Sequence, residues 1–145
     1  MHDAASGNRS VDRSVDGYAD RYLDEALWQD KAGYARGARR GTRIAVSGTT
    51  SSGADGGPLH PGDSYRQTLE ALAKGIRAVE ALGGTVADVL RTRIYLTPEA
   101  SWEDAARAHR EVFDAVRPAN TMVFVAALVG DGLLVEVELD AELGS

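Results

Sequence analysis

The sequence predicts a single α+β domain in which two amphipathic helices cover one face of a mixed β-sheet. Its length of 145 residues is typical of one domain and sufficient to bury a hydrophobic core. The predicted elements follow the order strand, strand, helix, strand, helix, strand, strand, and each helix carries one apolar stripe. Two such helices need an apolar sheet surface to pack against, which the strands grouped around them provide.

The N-terminal part of the chain is predicted to be a separate segment. Residues 1–32 are expected to form a leader or arm that is partly disordered, and residues 33–145 to form the folded domain. Within the arm, Tyr18, Tyr22 and Trp28 have a spacing compatible with a short helix or with an extended segment that docks its aromatic rings. The polar start of the chain lacks the apolar block of a secretory signal, so a cytoplasmic protein is expected.

The domain is predicted to begin with two short strands that meet at Arg40-Gly41. In the second strand, Ile44 and Val46 alternate with polar or small residues, which is the period of a half-buried strand. A loop rich in glycine, serine and proline follows at residues 51–62.

Apolar residues that recur at spacings of three and four predict two helices. The first begins at Asp63 or Ser64 and ends at Gly83-Gly84. The second begins with Ser101 as its cap and ends near Val116. Their apolar faces are predicted to carry Leu69, Leu72, Ile76, Val79 and Leu82 in the first helix, and Trp102, Ala106, His109 and Phe113 in the second.

Three more strands complete the predicted sheet. Residues 89–97, rich in β-forming side chains, lie between the helices. The last two strands, residues 121–128 and 133–140, are predicted to form a hairpin across Gly130-Asp131-Gly132. Since both helices cover the same face, the other face of the sheet also needs a cover. In so small a domain this predicts a homo-oligomer.

Composition excludes several kinds of site. The chain has no cysteine, so it has no disulfide, no cysteine zinc site and no thiol nucleophile. Its three histidines are too scattered to predict a metal site. The net charge of −6 argues against a nucleic-acid partner, and no apolar run is long enough to predict a membrane partner. One local basic cluster is interpreted as a solvated edge or an interface: Arg36, Arg39, Arg40 and Arg43.

Several short motifs resemble, in order and spacing, the RidA/YjgF family over residues 33 to 141. They are Ser47-Gly48 after a strand of small residues, residues 88–92, Arg117-Pro118-Ala119, and residues 135–138. The resemblance implies a chorismate-mutase-like fold assembled as a homotrimer, with clefts at the subunit interfaces. It implies a small-molecule substrate and neither a metal nor an organic cofactor. Many members hydrolyse reactive imines and enamines.

The resemblance also implies candidate site residues. In deaminating members, a glutamate on the last strand positions water for attack on the imine carbon, and Glu136 occupies that position here. Tyr34 and Ser47-Gly48 match residues that line the same cleft. In those members an arginine directly after Pro-Ala binds the substrate carboxylate, whereas this chain has Asn120 there.

Asn120 leaves several interpretations open. An amide cannot reproduce the bidentate, charge-assisted contact of an arginine. We therefore expect an imine or enamine substrate other than a simple 2-imino acid, unless Arg36 or Arg93 supplies the charge. Alternatively, catalysis is lost and the trimer binds a small molecule without turnover. Asn120 could also serve only the turn before a strand.

The acidic residues of the last strand have structural alternatives. Glu136 is a general base whose pKa is tuned by partial burial, or a solvent-facing glutamate on an edge strand. Glu138 and Asp140 are interpreted as solvated residues or as salt-bridge partners of Arg43 or Arg93.

The aromatic candidates are equally open. His109 is a core histidine or part of the cleft wall, where a neutral imidazole could orient water or a ligand. Phe124 is predicted to face inward, and core packing is the favoured interpretation. If it instead shares a cleft with Tyr34 and Trp102, the pocket is aromatic and suits a flat or hydrophobic ligand.

Overall fold

The computed structural model of the chain describes residues 8–13 and 19–144. These residues form one mixed sheet with the strands β1 Asn8–Arg13, β2 Ala19–Asp24, β3 Gly37–Arg40, β4 Arg43–Thr50, β5 Val89–Leu96, β6 Ala119–Phe124 and β7 Val135–Glu142. The helices are α1 Trp28–Ala32, α2 Ser64–Ala81 and α3 Trp102–Phe113, with a 3-10 turn at Val86–Asp88. The predicted α+β class, with two long helices on one face of a mixed sheet, is confirmed.

The strands lie in the order β1-β2-β3-β4-β7-β5-β6. The predicted hairpin between the last two strands is wrong, because β6 and β7 lie on opposite sides of β5. β6 is one of the two edge strands and runs parallel to β5, to which α3 connects it. β7 is central because it buries an apolar residue at every second position against the helices, namely Val135, Val137, Leu139 and Ala141. Gly130 and Gly132, both at positive φ, serve turns within the connecting loop.

Both long helices begin at the predicted caps. The side chain of Asp63 accepts a hydrogen bond from the Arg66 amide at 2.9 Å, and that of Ser101 accepts one from the Asp104 amide at 3.2 Å. In α2, Gly75 allows close packing on the sheet, because a Cβ there would lie 2.7 Å from a methyl carbon of Leu139.

The buried stripe of α3 differs from the predicted one. Ala105, Ala108 and Phe113 are fully or almost fully buried. Trp102, predicted on the same apolar face, is 52% exposed at the edge of that face, and His109 is half-buried. The buried face of α3 is therefore centred on the small residues Ala105 and Ala108, and the Trp102 ring lies outside the core.

The N-terminal arm contains both of the arrangements that its sequence left open. Strand β2 pairs with β3, and helix α1 follows it. Tyr22 packs in the core at 7% exposure, and Gln29 is buried. Tyr18 lies outside the described residues. The arm from Ala19 onward is thus docked on the sheet, while the domain boundary at residue 33 stays a prediction.

The sheet face opposite the helices is polar and has no covering element within residues 8–13 and 19–144. It carries Arg93 and Tyr95 on β5 and the acids Glu136, Glu138 and Asp140 on β7, all partly exposed. We call it the open face. No helix in the described ranges is long and apolar enough to cross a bilayer.

Candidate functional site

Glu136 lies on the open face beside a bulge in the neighbouring strand β4. The register between β4 and β7 shifts between Val46 and Thr49, so Ser47 and Gly48 stand opposite a single residue of β7. A Cβ at position 48 would lie 2.5 Å from Oε2 of Glu136. Glycine is therefore needed here because any side chain would displace the carboxylate.

Hydrogen bonds from buried groups hold the bulge in place. The Ser47 hydroxyl donates to the carbonyl of Ala35 at 2.7 Å. Arg36, only 5% exposed, donates through Nη1 to the Gly48 carbonyl at 2.8 Å and to the Thr49 hydroxyl at 2.9 Å. Its Nε forms an ion pair with Asp24 at 2.9 Å. Arg36 is thus a structural part of the bulge.

The environment of Glu136 raises its pKa. Burial is the main cause, the positive charge of Arg36 opposes it, and the negative charge of Glu138 adds to it. A raised pKa makes the neutral acid accessible at a higher pH than for a solvated glutamate. The side chain can then accept and return a proton under mild conditions.

The neighbouring acids on β7 have side-chain partners, whereas Glu136 has none among the described residues. Glu138 accepts a short hydrogen bond from the Tyr95 hydroxyl and lies 3.7 Å from Arg93, which also pairs with Asp140 at 3.1 Å. The predicted salt bridges to Arg93 are confirmed. Among the described residues, no side chain or amide hydrogen-bonds or ion-pairs with the Glu136 carboxylate. That carboxylate is available to a ligand or water.

Tyr34 lies near this bulge. It directly precedes Ala35, whose carbonyl accepts the Ser47 hydroxyl, and its amide donates to the carbonyl of Gln29 at 3.1 Å. The structure therefore places four of the predicted residues at or near the bulge: Tyr34, Ser47, Gly48 and Glu136.

Asn120 belongs to the opposite face. It lies beside Thr92 on β5, and Thr92 in turn lies beside Leu139 on β7. Side chains of in-register neighbours point to the same side of a sheet. Since Leu139 is buried under α2, Asn120 is on the helix-covered side, whereas Glu136 faces away from the helices. In one subunit, the two predicted catalytic residues do not meet.

A hydrogen-bonded chain links Asn120 to α3. Its Nδ2 donates to the Thr92 hydroxyl at 2.9 Å, and that hydroxyl lies 2.8 Å from Nε2 of His109. Thr92 is fully buried, and the His109 ring packs on Phe113 with 4.8 Å between ring centroids. Burial lowers the pKa of His109, which favours the neutral imidazole. Sequence reasoning did not identify Thr92, because a threonine in a strand carries no distinguishing signal.

A cleft of about 560 Å³ opens between β6 and α3, beside Asn120. Phe124 and Trp102, 55% and 52% exposed, form part of its wall, so the core interpretation of Phe124 is wrong. Tyr34 is not in this wall. The lining residues that the structure describes include no charged side chain; they are Leu96, Trp102, Ala106, Asn120, Met122, Val123 and Phe124.

Arg36 and Arg93 were considered as replacements for the carboxylate-binding arginine of the deaminating members. Neither of them reaches this cleft in its own subunit. Arg36 is bound to the bulge and to Asp24, and Arg93 pairs with acids on the open face. In the part of the chain that the structure describes, no three histidine, aspartate or glutamate side chains cluster closely enough to hold a metal ion.

The sequence and the overall fold match a known family. The model of the family described as endoribonuclease L-PSP matches residues 26–143 of this chain. The chain belongs to this family, the YjgF/RidA family.

Individual relatives agree with this assignment. An uncharacterised protein of Streptomyces coelicolor is 35% identical over 119 residues, which are 81% of this chain and 87% of that protein. The crystal structure of Rv2704 from Mycobacterium tuberculosis, a YjgF/YER057c/UK114 family member, is 37% identical with a TM-score of 0.77, covering 86% of this chain and 99% of the other. PA3499 of Pseudomonas aeruginosa, a protein of unknown function, is 32% identical with a TM-score of 0.68, covering 77% and 82%.

Proposed function

We propose that this YjgF/RidA protein hydrolyses an imine or enamine other than a simple 2-imino acid, with Glu136 activating water. The observation that carries the proposal is the contrast among the acids of β7. Glu138 and Asp140 are occupied by Tyr95 and Arg93, whereas the half-buried Glu136 carboxylate has no such partner in residues 8–13 and 19–144, and its pKa is raised. A free, partly desolvated carboxylate is suited to general acid–base catalysis.

The proposed chemistry needs only proton transfer. Glu136 accepts a proton from water as the water oxygen bonds to the imine carbon, and the protonated carboxyl returns that proton to the nitrogen to give a carbinolamine. Glu136 then takes the proton of the new hydroxyl group and passes it to the nitrogen, so that the carbon–nitrogen bond breaks as the carbonyl forms and ammonia leaves. An enamine first takes a proton on carbon from the acid form of Glu136 and becomes an iminium ion, which returns a proton from its nitrogen to the carboxylate to give the imine.

We further propose that the reactive cleft lies between subunits of a homotrimer. Two features of the single subunit support this. The open face around Glu136 has no cover among the described residues, and the edge strand β6 exposes Val123 and Phe124 at 41% and 55%. Placing β6 of one subunit against the bulge of the next would bring Asn120 of one copy near Glu136 of another, and it would bury both surfaces.

The apolar cleft beside Asn120 supports the proposed substrate class. Its described lining has no cation to pair with a carboxylate, and it includes the apolar side chains of Trp102, Met122 and Phe124. A substrate with an apolar body fits such a wall better than a small anionic imino acid does. The endoribonuclease name belongs to the family description. The acidic balance of this chain, net charge −6, does not favour an RNA substrate.

The test is ammonia release from imines generated in situ from the amides of amino acids with apolar side chains, with the corresponding 2-imino acids and 2-iminobutanoate for comparison. We expect turnover in the wild type that falls by roughly 10²-fold or more in Glu136→Gln. Asp140→Asn is the matched control, since it alters an acid of the same strand and face. If the wild type releases no ammonia from any imine, or if Glu136→Gln releases it at the wild-type rate, the proposal is overturned. Either result would favour a trimer that binds a small molecule without turnover.

A further inference from the structure

Asn120 is the outer end of a polar chain that runs from the cleft into the core. Its Nδ2 lies 2.9 Å from the Thr92 hydroxyl, which lies 2.8 Å from Nε2 of His109. Because Thr92 is fully buried, bulk water does not compete for its hydroxyl. The direction of these two hydrogen bonds therefore decides which edge of the Asn120 amide is presented to a ligand.

The Asn120 amide donates to the Thr92 hydroxyl. That hydroxyl has a single hydrogen, which it can donate to Nε2 of His109 when that nitrogen carries no proton. The hydrogen bonds then run in one direction, from Asn120 through Thr92 to His109, with the imidazole proton on Nδ1. Burial of the ring favours the neutral imidazole that this direction requires.

This direction fixes what Asn120 offers to a ligand. One N–H of its amide is used by Thr92, which leaves the carbonyl Oδ1 and the second N–H. No described residue hydrogen-bonds to Oδ1. An arginine at this position would present donors only, whereas Asn120 presents an acceptor beside a donor. A carboxylate has no hydrogen for that acceptor, but a carboxamide has both complementary groups.

We propose that the cleft beside Asn120 selects a ligand whose polar end is an uncharged carboxamide, or a similar N–H group, on an apolar body. The body would lie against Trp102, Met122 and Phe124, and its polar end would pair with the fixed amide edge of Asn120. Thr92 and His109 act as positioning residues, because they hold that edge without touching the ligand. This inference deepens the proposed function by naming the substrate class, and it rests on that function only in using the same cleft.

The first test determines the direction of the hydrogen bonds that link Asn120, Thr92 and His109 in the unmodified protein. Nitrogen-15 chemical shifts of the imidazole distinguish the two neutral tautomers of His109. We expect Nδ1 to carry the proton and Nε2 to be the acceptor. A proton on Nε2 would reverse the chain, turn the N–H₂ of Asn120 toward the ligand, and overturn the proposal.

The second test compares three probes with one body: 3-phenylpropanamide, 3-phenylpropanoate and its methyl ester. Binding is followed by calorimetry and by the shift of the Asn120 side-chain amide signals. We expect the amide to bind about tenfold more tightly than the carboxylate or the ester, as one well-placed hydrogen bond implies. Equal or tighter binding of the carboxylate, or no binding of any probe, would contradict the proposal.

Thr92→Val tests the positioning role, because valine keeps the shape of threonine but breaks both hydrogen bonds. The preference for the amide probe should shrink in this variant, since the Asn120 amide is then free to turn. Thr121→Val is the matched control on the neighbouring strand, on the other face. An undiminished preference for the amide probe in Thr92→Val would show that Thr92 and His109 do not position the Asn120 amide. If that variant does not fold, the tautomer of His109 decides the question.

These results are separable from the fate of the proposed reaction. The probes are not hydrolysed at an imine, and their binding can be measured in Glu136→Gln. If the protein shows no turnover but prefers the amide probe, the proposed hydrolysis is refuted and this inference is supported. If it hydrolyses imines but prefers the carboxylate probe, the hydrolysis is supported and this inference is refuted.

Discussion

Asn120 and Glu136 lie on opposite faces of the same sheet. The pairing of Asn120 with Thr92 places it on the helix side, and the pairing of Glu136 with Tyr95 places it on the open face. A flat sheet separates such residues by its own backbone, so one subunit cannot present both to one small molecule. A cleft that uses both must combine two copies of the chain.

A mixed-subunit experiment tests this shared cleft. Glu136→Gln removes the proposed base, and Asn120→Trp fills the cleft, so we expect each variant alone to be inactive. After joint unfolding and refolding at equal amounts, random assortment gives roughly a quarter of the interfaces an intact Asn120 facing an intact Glu136. Ammonia release in the mixture should recover to about that fraction of the wild-type rate.

The control for subunit exchange is the same mixture without the unfolding step, which should stay inactive. Recovery there would point to contamination rather than to shared sites. No recovery after verified formation of mixed trimers would show that each active cleft lies within one subunit.

The helices and most strands could be predicted because their signals are local. Asp63 and Ser101 are helix caps that act within three residues, and the alternation around Ile44 and Val46 marks a half-buried strand. Strand pairing is not local. The glycines at 130 and 132 indicated a turn correctly, but the strands that pair with β7 are β4 and β5, which are distant from it in sequence.

In the site, too, the local motifs could be predicted from the sequence, whereas the contacts between distant elements could not. The resemblance pointed to Glu136 and to Ser47-Gly48, which the structure brings together. It could not show that Thr92 and His109 hold Asn120, because that chain joins two strands and a helix that are distant in sequence. Nor could periodicity show which apolar side chains stay outside the core at the edge of the sheet.

Restoring an arginine at position 120 should convert the specificity of the cleft. In Asn120→Arg, a bidentate contact of roughly 1.5–3 kcal/mol becomes available to a carboxylate, which corresponds to about ten- to a hundredfold tighter binding of 2-imino acids. KM for imine hydrolysis with 2-iminobutanoate measures this. Asn120→Lys is the matched control, because it adds the same charge without the planar fork and should gain less. Equal gains would assign the effect to charge alone.

Gly48→Ala should impair catalysis more than stability. The added Cβ would lie 2.5 Å from Oε2 of Glu136, so the carboxylate must move, while position 48 needs no left-handed backbone. We expect kcat to fall by about 10²-fold, in line with loss of a positioned base, and the melting temperature to change little. Gly53→Ala, in a loop away from Glu136, is the control.

The double variant sharpens this test. If alanine at position 48 acts by displacing the carboxylate, adding Gly48→Ala to Glu136→Gln should lower kcat almost no further. Additive losses would mean that Gly48 has a separate role, such as contact with the substrate.

Glu136→Gln should stabilise the fold at neutral pH even though it removes activity. The folded-state pKa of Glu136 is raised by burial, so its charged form is less stable in the folded protein than in the unfolded chain. This penalty is complete above the folded-state pKa. It shrinks as the pH falls through that value and vanishes below the ordinary pKa of a glutamate. The variant should therefore melt at a higher temperature than the wild type at pH 8, and the difference should narrow toward pH 4.

Glu138→Gln is the contrasting variant for these melts. Glu138 accepts the Tyr95 hydroxyl and lies beside Arg93, so neutralising it weakens existing contacts and should lower the melting temperature at pH 8. A gain for both variants would mean only that the acidic face as a whole repels itself. A loss for Glu136→Gln at pH 8 would show that the Glu136 carboxylate is stabilised by a partner in the assembled protein. Its availability to water, on which the proposed mechanism depends, would then be refuted.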